Sequence, residues 1–302
     1  MKNISIRLWL AGCGVLVSAL ACLQAHAQLN PPSAIYFQNQ YLANPAWAGA
    51  EEGATVNLGY RRQWNDIEQA PVTQYLSGVY KFDEKAGVGA VLYSEKAGLL
   101  RRTKVMASYG YHLPLATDRT LHLGLSAGVM SEKISTSDIH GDLDDPTVAR
   151  FNDRGLYVDG DFGVAYTDHS FTLQAAIPNI RSTFENEDNP VDKSLFFAAV
   201  SYAWVFERAF NTLRLEPKVA FRGVKGHDNI VDVGANVRLE NQRLNFFALY
   251  HTTKNATLGA GLEVIERLTL TAMFTSETSG LQEQGGGTFE FGLKGKLLGK
   301  EK

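Results

Sequence analysis

The sequence is poor in the residues that much chemistry needs. Its two cysteines, Cys13 and Cys22, both fall within the first 27 of 302 residues. From Gln28 onward there is no thiol, which excludes disulfide scaffolding, cysteine catalysis, thiolate zinc sites and iron–sulfur clusters there. A thiol-free chain suits export through an oxidising compartment. Past residue 27 no apolar run approaches the ~18 residues that mark a helical membrane span. Neither sign of charge dominates, with 29 Lys+Arg against 32 Asp+Glu and a formal net charge of -3. The basic stripe of a nucleic-acid binder is therefore missing. Aromatic residues, at 11%, spread along the whole length, so wholesale disorder is excluded as well.

Residues 1–27 read as an export signal. Lys2 and Arg7 precede an apolar stretch from Leu8 to Leu23, and Ala25-His26-Ala27 forms a small-residue cleavage site before Gln28. A lipoprotein reading would put the lipid on Cys22 behind Leu20-Ala21, but Ala19 stands where such a signal favours Leu. Cleavage after Ala27 is the preferred reading.

What the remainder does have is period-two alternation. Leu121, Leu123, Leu125, Ala127 and Val129 alternate with His122, Gly124, Ser126, Gly128 and Met130. Val105, Ala107, Tyr109 and Tyr111 alternate with Met106, Ser108, Gly110 and His112 in the run before it. Similar runs place strands at 55–64, 74–81, 87–94, 103–113, 120–130, 156–167, 171–177, 194–206, 213–223, 230–239, 244–251, 256–265, 268–275 and 287–297. That is about 14 strands, with 12 as the alternative count. The connections alternate between a short set and a set that is longer on average, the latter including 65–73, 95–102, 131–155 and 178–193. Short turns on one side and long loops on the other are the wiring of an outer-membrane barrel, with both termini on the short-turn, periplasmic side. A soluble β-sandwich also alternates, but its strands run nearer 5–6 residues and its polar face is not so rich in glycine. The reading is an all-β, transmembrane antiparallel barrel behind a cleaved signal peptide. On it, Leu123 faces lipid and should reject Arg more strongly than Ser126, which faces the lumen.

Catalytic and metal motifs are nearly absent. His112 and His122 share the lumen phase of neighbouring strands and read as polar lumen residues near a turn. Asp138, Asp142, Asp144 and Asp145 crowd one loop without the spacing of a calcium loop, and read as a solvated acidic surface. No nucleophile elbow, zinc-protease helix or phosphate-cradling loop is present, so a non-enzymatic chain without cofactor or metal is expected. The lumen phase holds charges of both signs, among them Arg61, Arg214, Glu216, Lys218, Arg222, Asp232, Arg238, Glu263, Glu290 and Lys294. Such residues predict a salt-bridged, hydrogen-bonded filling rather than an apolar tunnel.

Three segments near the N-terminus carry a resemblance. They are Asn44-Pro45-Ala46-Trp47-Ala48-Gly49, then Tyr60-Arg61-Arg62-Gln63-Trp64, then Ala70-Pro71-Val72-Thr73. In this order they resemble the PorP/SprF family of type IX secretion system outer-membrane proteins, whose members share an N-P-A-aromatic-A-G box, a Y-R-x-Q-W strand and an A/G-P-x-T turn. Size, export signal and strand count agree across the chain. The resemblance implies a periplasmic N-terminal segment at 28–54 ahead of a barrel at 55–302. It also implies a non-catalytic component of protein secretion and gliding motility in Bacteroidota. Such a component would couple periplasmic lipoproteins or a peptidoglycan-binding OmpA-like protein to export or surface anchoring of adhesin cargo, with outer-membrane lipid around it. Asn44, Pro45, Trp47, Gly49, Arg61, Gln63, Trp64 and Pro71 are the residues it marks, either for binding a periplasmic partner or for closing the barrel bottom. An outer-membrane transporter barrel for small or lipid-like solutes is the alternative function. The mature chain should begin at Gln28 with no acyl group; intact-mass detection of a lipid on Cys22 would overturn that assignment.

Overall fold

The computed structural model describes residues 34–64, 70–135, 146–153, 155–181, 194–208, 211–224, 228–276 and 286–298. The export signal, the acidic run 136–145 and most of loop 178–193 lie outside the described residues. The strands are β1 (Ala54–Arg62), β2 (Val72–Asp83), β3 (Ala86–Ala97), β4 (Leu100–Ala116), β5 (Arg119–Ile134), β6 (Leu156–Thr167) and β7 (Phe171–Ile177). Next comes β8, running Ser194–Tyr202 and resuming as Trp204–Arg208 after a break at Ala203. Both halves of β8 pair with the same neighbour, so they count as one bent strand. The series ends with β9 (Asn211–Val224), β10 (Ile230–Leu239), β11 (Leu244–His251), β12 (Asn255–Ile265), β13 (Leu268–Thr275) and β14 (Thr288–Leu298).

Every strand pairs antiparallel with its sequence neighbours, and β1 pairs with β14 from Arg62↔Phe289 to Ala54↔Leu298. The ring closes at fourteen strands, not twelve. Closure leaves no sheet edge, which is what a strand-built membrane span requires.

The two faces separate as the alternation predicts. Leu123 and Leu125 are exposed on the outside, while His122 and Ser126 are buried on the inside. Leu270, Leu293, Leu58, Leu76, Leu92 and Val105 lie side by side across six adjacent strands. Five of them are at least 41% exposed, a continuous apolar surface that a bilayer would cover. The 95–102 loop is a correction: β3 and β4 run on to a two-residue turn at Gly98-Leu99. The reason lies in the charges, because Arg102 sits opposite both Glu95 and Glu132 and pairs with each at 3.1 Å. These cross-strand pairs hold the ladder together beyond the apolar band.

Ser126 does not sit in a roomy lumen. Its hydroxyl is 2.7 Å from Ser108, whose own hydroxyl is 2.8 Å from Tyr41. Leu123→Arg should cost about 2–4 kcal/mol and reduce the heat-modifiable barrel fraction on gels. Contrary to the reading from alternation alone, Ser126→Arg should be no milder; wild-type yield for that variant would show that the lumen has room.

Candidate functional site

Residues 34–50 fill the lumen. They form three short 3-10 turns, Ala34–Phe37, Gln40–Leu42 and Pro45–Trp47. The last is locally specified. Asn44 caps it, its Oδ1 accepting the Ala46 N–H at 2.9 Å, and Pro45 takes the first helical position where no N–H is needed. At φ +71°, Gly49 then turns the chain toward β1.

The wall is cleared to receive this plug. Gly87, Gly110, Gly124 and Gly163 stand on the inner faces of β3 to β6, and a Cβ at any of them would collide with Gly49, Ala48, Pro45 or Asn44 respectively. Polar clamps add direction to this fit. Fully buried Asn44 donates from Nδ2 to the Val164 carbonyl at 3.1 Å and to Gln174 Oε1 at 3.2 Å. Trp47 Nε1 donates to the same Gln174 oxygen at 2.7 Å, and Gln174 Nε2 donates to Gln40 at 2.5 Å. Gln174 is thus the hub of the box.

The two histidines close the other side of the clamp. His112 Nε2 lies 3.1 Å from the Ala48 carbonyl, which can only accept, so that nitrogen carries the proton. In the neutral ring Nδ1 is then an acceptor, facing His122 Nδ1 at 2.9 Å, and His122 Nε2 takes a bond from the Thr167 hydroxyl at 3.0 Å. Trp47 stacks on His122 with centroids 5.4 Å apart.

A second clamp sits toward the long-loop end. Asp232, 1% exposed, accepts from Tyr36 Oη at 2.5 Å and from Arg222 at 2.8 Å, and faces His251 Nδ1 at 2.5 Å. His251 Nε2 reaches Thr257 at 2.9 Å. The Asp–His–hydroxyl order matches a nucleophilic triad, but Thr257 is fully buried and bonded to Thr275 at 2.7 Å, with no space for a substrate carbonyl. This cluster instead holds the start of the plug, aided by Arg222 and Lys218 over the Tyr36 and Phe37 rings.

These positions correct two expectations. Residues 34–50 of segment 28–54 lie inside the barrel, not below it as a periplasmic segment, because their amide, aromatic and small residues match a glycine-cleared polar wall. The marked residues also divide into two groups. Asn44, Pro45, Trp47 and Gly49 lie in the short-turn half, whereas Arg61, Gln63, Trp64 and Pro71 lie at the opposite, long-loop end of β1 and β2. There Arg61 points inward opposite Glu290, the Gln63 backbone N–H donates to the Pro71 carbonyl at 3.0 Å, and Trp64 turns off the strand at φ +47°. The Gln63 side chain is buried without a hydrogen-bond partner among the described residues. The alternation alone held an overlooked signal: glycine on the inner phase of four successive strands marks where another backbone must fit.

Beside the plug, on the short-turn side, a cavity of about 320 Å³ remains. Arg238, Arg243, Lys294, Glu51, Glu240 and Glu263 contribute to its mixed-charge lining. The Lys294 ammonium holds the Glu51 carboxyl below the usual carboxylate range. Among the described residues no group of three or more metal-ligating side chains gathers.

Residues 25–294 match the family model described as type IX secretion system membrane protein PorP/SprF. No curated protein matches the chain. Among solved structures, the Ralstonia pickettii toluene transporter TbuX is 12% identical, with a TM-score of 0.51 over 91% of this chain and 96% of that one. Acinetobacter baumannii outer membrane protein Omp33 is 9% identical, with a TM-score of 0.48 over 82% and 100%. At such identities the likeness to TbuX is one of fold, that of an outer-membrane barrel.

Gln174→Ala should strip Trp47 and Asn44 of their shared acceptor and weaken plug seating by about 1–3 kcal/mol. The expected readout is faster proteolysis of residues 34–50 in the detergent-solubilised barrel, with the strands still protected. Unchanged protection would remove Gln174 from its place at the hub.

Proposed function

Since the chain belongs to the PorP/SprF family of type IX secretion system membrane proteins, we propose that it serves as a closed, non-enzymatic docking barrel in the outer membrane. In this role it links periplasmic lipoproteins, or a peptidoglycan-binding OmpA-like protein, to export or surface anchoring of adhesin-like cargo. One observation carries the reading: the lumen is occupied by the chain's own residues 34–50, clamped at Gln174 and at Asp232. A barrel filled by its own chain offers two rims as contact surfaces, which favours docking over solute transport.

The periplasmic contact centres on the mixed-charge cavity at the short-turn rim. Its Arg238 and Glu51 lie beside the seated plug, so a partner there meets a surface that exists only when the plug is in place. The Arg61 and Gln63 group is assigned to the outer rim instead. Cargo contact falls to that outer rim and to the acidic loop 131–155, whose residues 136–145 lie outside the described residues.

Two measurements test this. In planar bilayers the wild-type barrel should show no steady conductance, and a stable open pore would return the transporter reading. Charge reversal by Arg238→Glu with Arg243→Glu should lower co-purification of the periplasmic lipoprotein partner severalfold while folding stays intact; undiminished recovery would move the contact elsewhere.

A further inference from the structure

Two neighbouring rows across β1 to β5 sort their charges in opposite ways. The inward row reads Arg61, Thr73, Glu95, Arg102, Glu132, with Glu290 of β14 beside Arg61. Its signs alternate, and the Arg102 pairs with Glu95 and Glu132 are part of it. The adjacent outward row reads Arg62, Val72, Lys96, Arg101, Lys133 and contains four cations and no carboxylate. Arg62, Arg101 and Lys133 are exposed and Lys96 is half-buried.

The rows beneath give this face its chemistry. Directly below the cations the outward residues are Tyr60, Gln74, Ser94, Thr103 and Ser131, all polar or hydroxyl-bearing. One step further down they are Leu58, Leu76, Leu92, Val105 and Val129, all aliphatic. Rows climb around the barrel with strand tilt, so the cations occupy a band rather than a ring. The order from the bilayer centre outward is acyl-compatible, then hydrogen-bonding, then cationic. Other strands stay apolar toward the same end, with Val158 and Leu156 on β6 and Phe289 on β14 exposed there.

We infer that the outer face of β1 to β5 is a docking site for the phosphates of a glycolipid in the outer leaflet. Acyl chains lie on the Leu/Val row, sugar hydroxyls meet the Gln74, Ser94, Thr103 and Ser131 row, and phosphates meet Arg62, Lys96, Arg101 and Lys133. Guanidinium groups suit such phosphates because their paired N–H donors match two oxygens at once. A peptide partner would not explain the aliphatic row beneath, and a free anion would not need it. The site is independent of any secretion partner, so its failure leaves the docking function untouched.

The test uses the folded full-length barrel in detergent, incubated with diphosphoryl lipid A and read by native mass spectrometry. Wild type should retain the lipid, retain monophosphoryl lipid A less, and keep it in the presence of millimolar inorganic phosphate. The variant with Gln at Arg62, Lys96, Arg101 and Lys133 should retain about tenfold less. Should that variant fail to show heat-modifiable folding, the Arg101→Gln/Lys133→Gln pair decides, compared with Lys85→Gln/Arg119→Gln at the short-turn rim, which should match wild type. Equal retention by wild type and the outer-row variants overturns the site. So does full displacement by inorganic phosphate, which would mark a free-anion site instead.

Discussion

Closure between β1 and β14 is the constraint from which the rest of the molecule follows. In hydrocarbon every backbone N–H and C=O must be paired inside the protein, and only a ring of strands achieves this with sheet. The nine-residue β1 pairs along its whole length with β14 on one side and β2 on the other. Once the ring closes, each strand has one lipid face and one lumen face, and alternation stops being a tendency and becomes a requirement. A fourteen-strand ring also encloses more volume than its own inward side chains fill. Something must occupy that volume, and here it is the chain's own residues 34–50.

The plug and wall are matched by subtraction as much as by contact. Gly87, Gly110, Gly124 and Gly163 remove side chains where Gly49, Ala48, Pro45 and Asn44 approach. Polar groups brought that close to the wall must be satisfied: His112 meets the Ala48 backbone carbonyl, and the Asn44 side chain donates to Gln174 and to the Val164 carbonyl. At the far end the Asp232 cluster performs the same task for Tyr36 with a buried charge, which is tolerated because Arg222, Tyr36 and His251 surround it. The plug is therefore held at both ends.

Charge is sorted by face in the same molecule. Inside, opposite signs neighbour each other because water is scarce and an isolated ion would be costly. Outside, on β1 to β5, cations stand side by side at the level where a bilayer presents its own phosphates. Sequence composition hides this sorting, since the net charge of -3 averages over both faces.

The period-two pattern alone determined the strands, their faces and the all-β class, because those are local properties: each residue's phase is set by its two neighbours. The count of fourteen rather than twelve was decided by the pairing of β1 with β14. Leu123 outward and Ser126 inward needed no further information. The lumen-phase histidines were legible in the same way, down to their sharing a hairpin. Tertiary structure alone decided where Asn44-Pro45-Ala46-Trp47 goes. A capped turn with an aromatic residue is as much at home below a barrel as inside one, and only the wall, assembled from residues up to about 200 positions away such as Asp232, distinguishes the two. The same holds for Arg61 and Gln63, near the box in sequence but carried by β1 to the other end of the lumen. Short-range chemistry specifies a strand's face, and long-range packing specifies what that face meets.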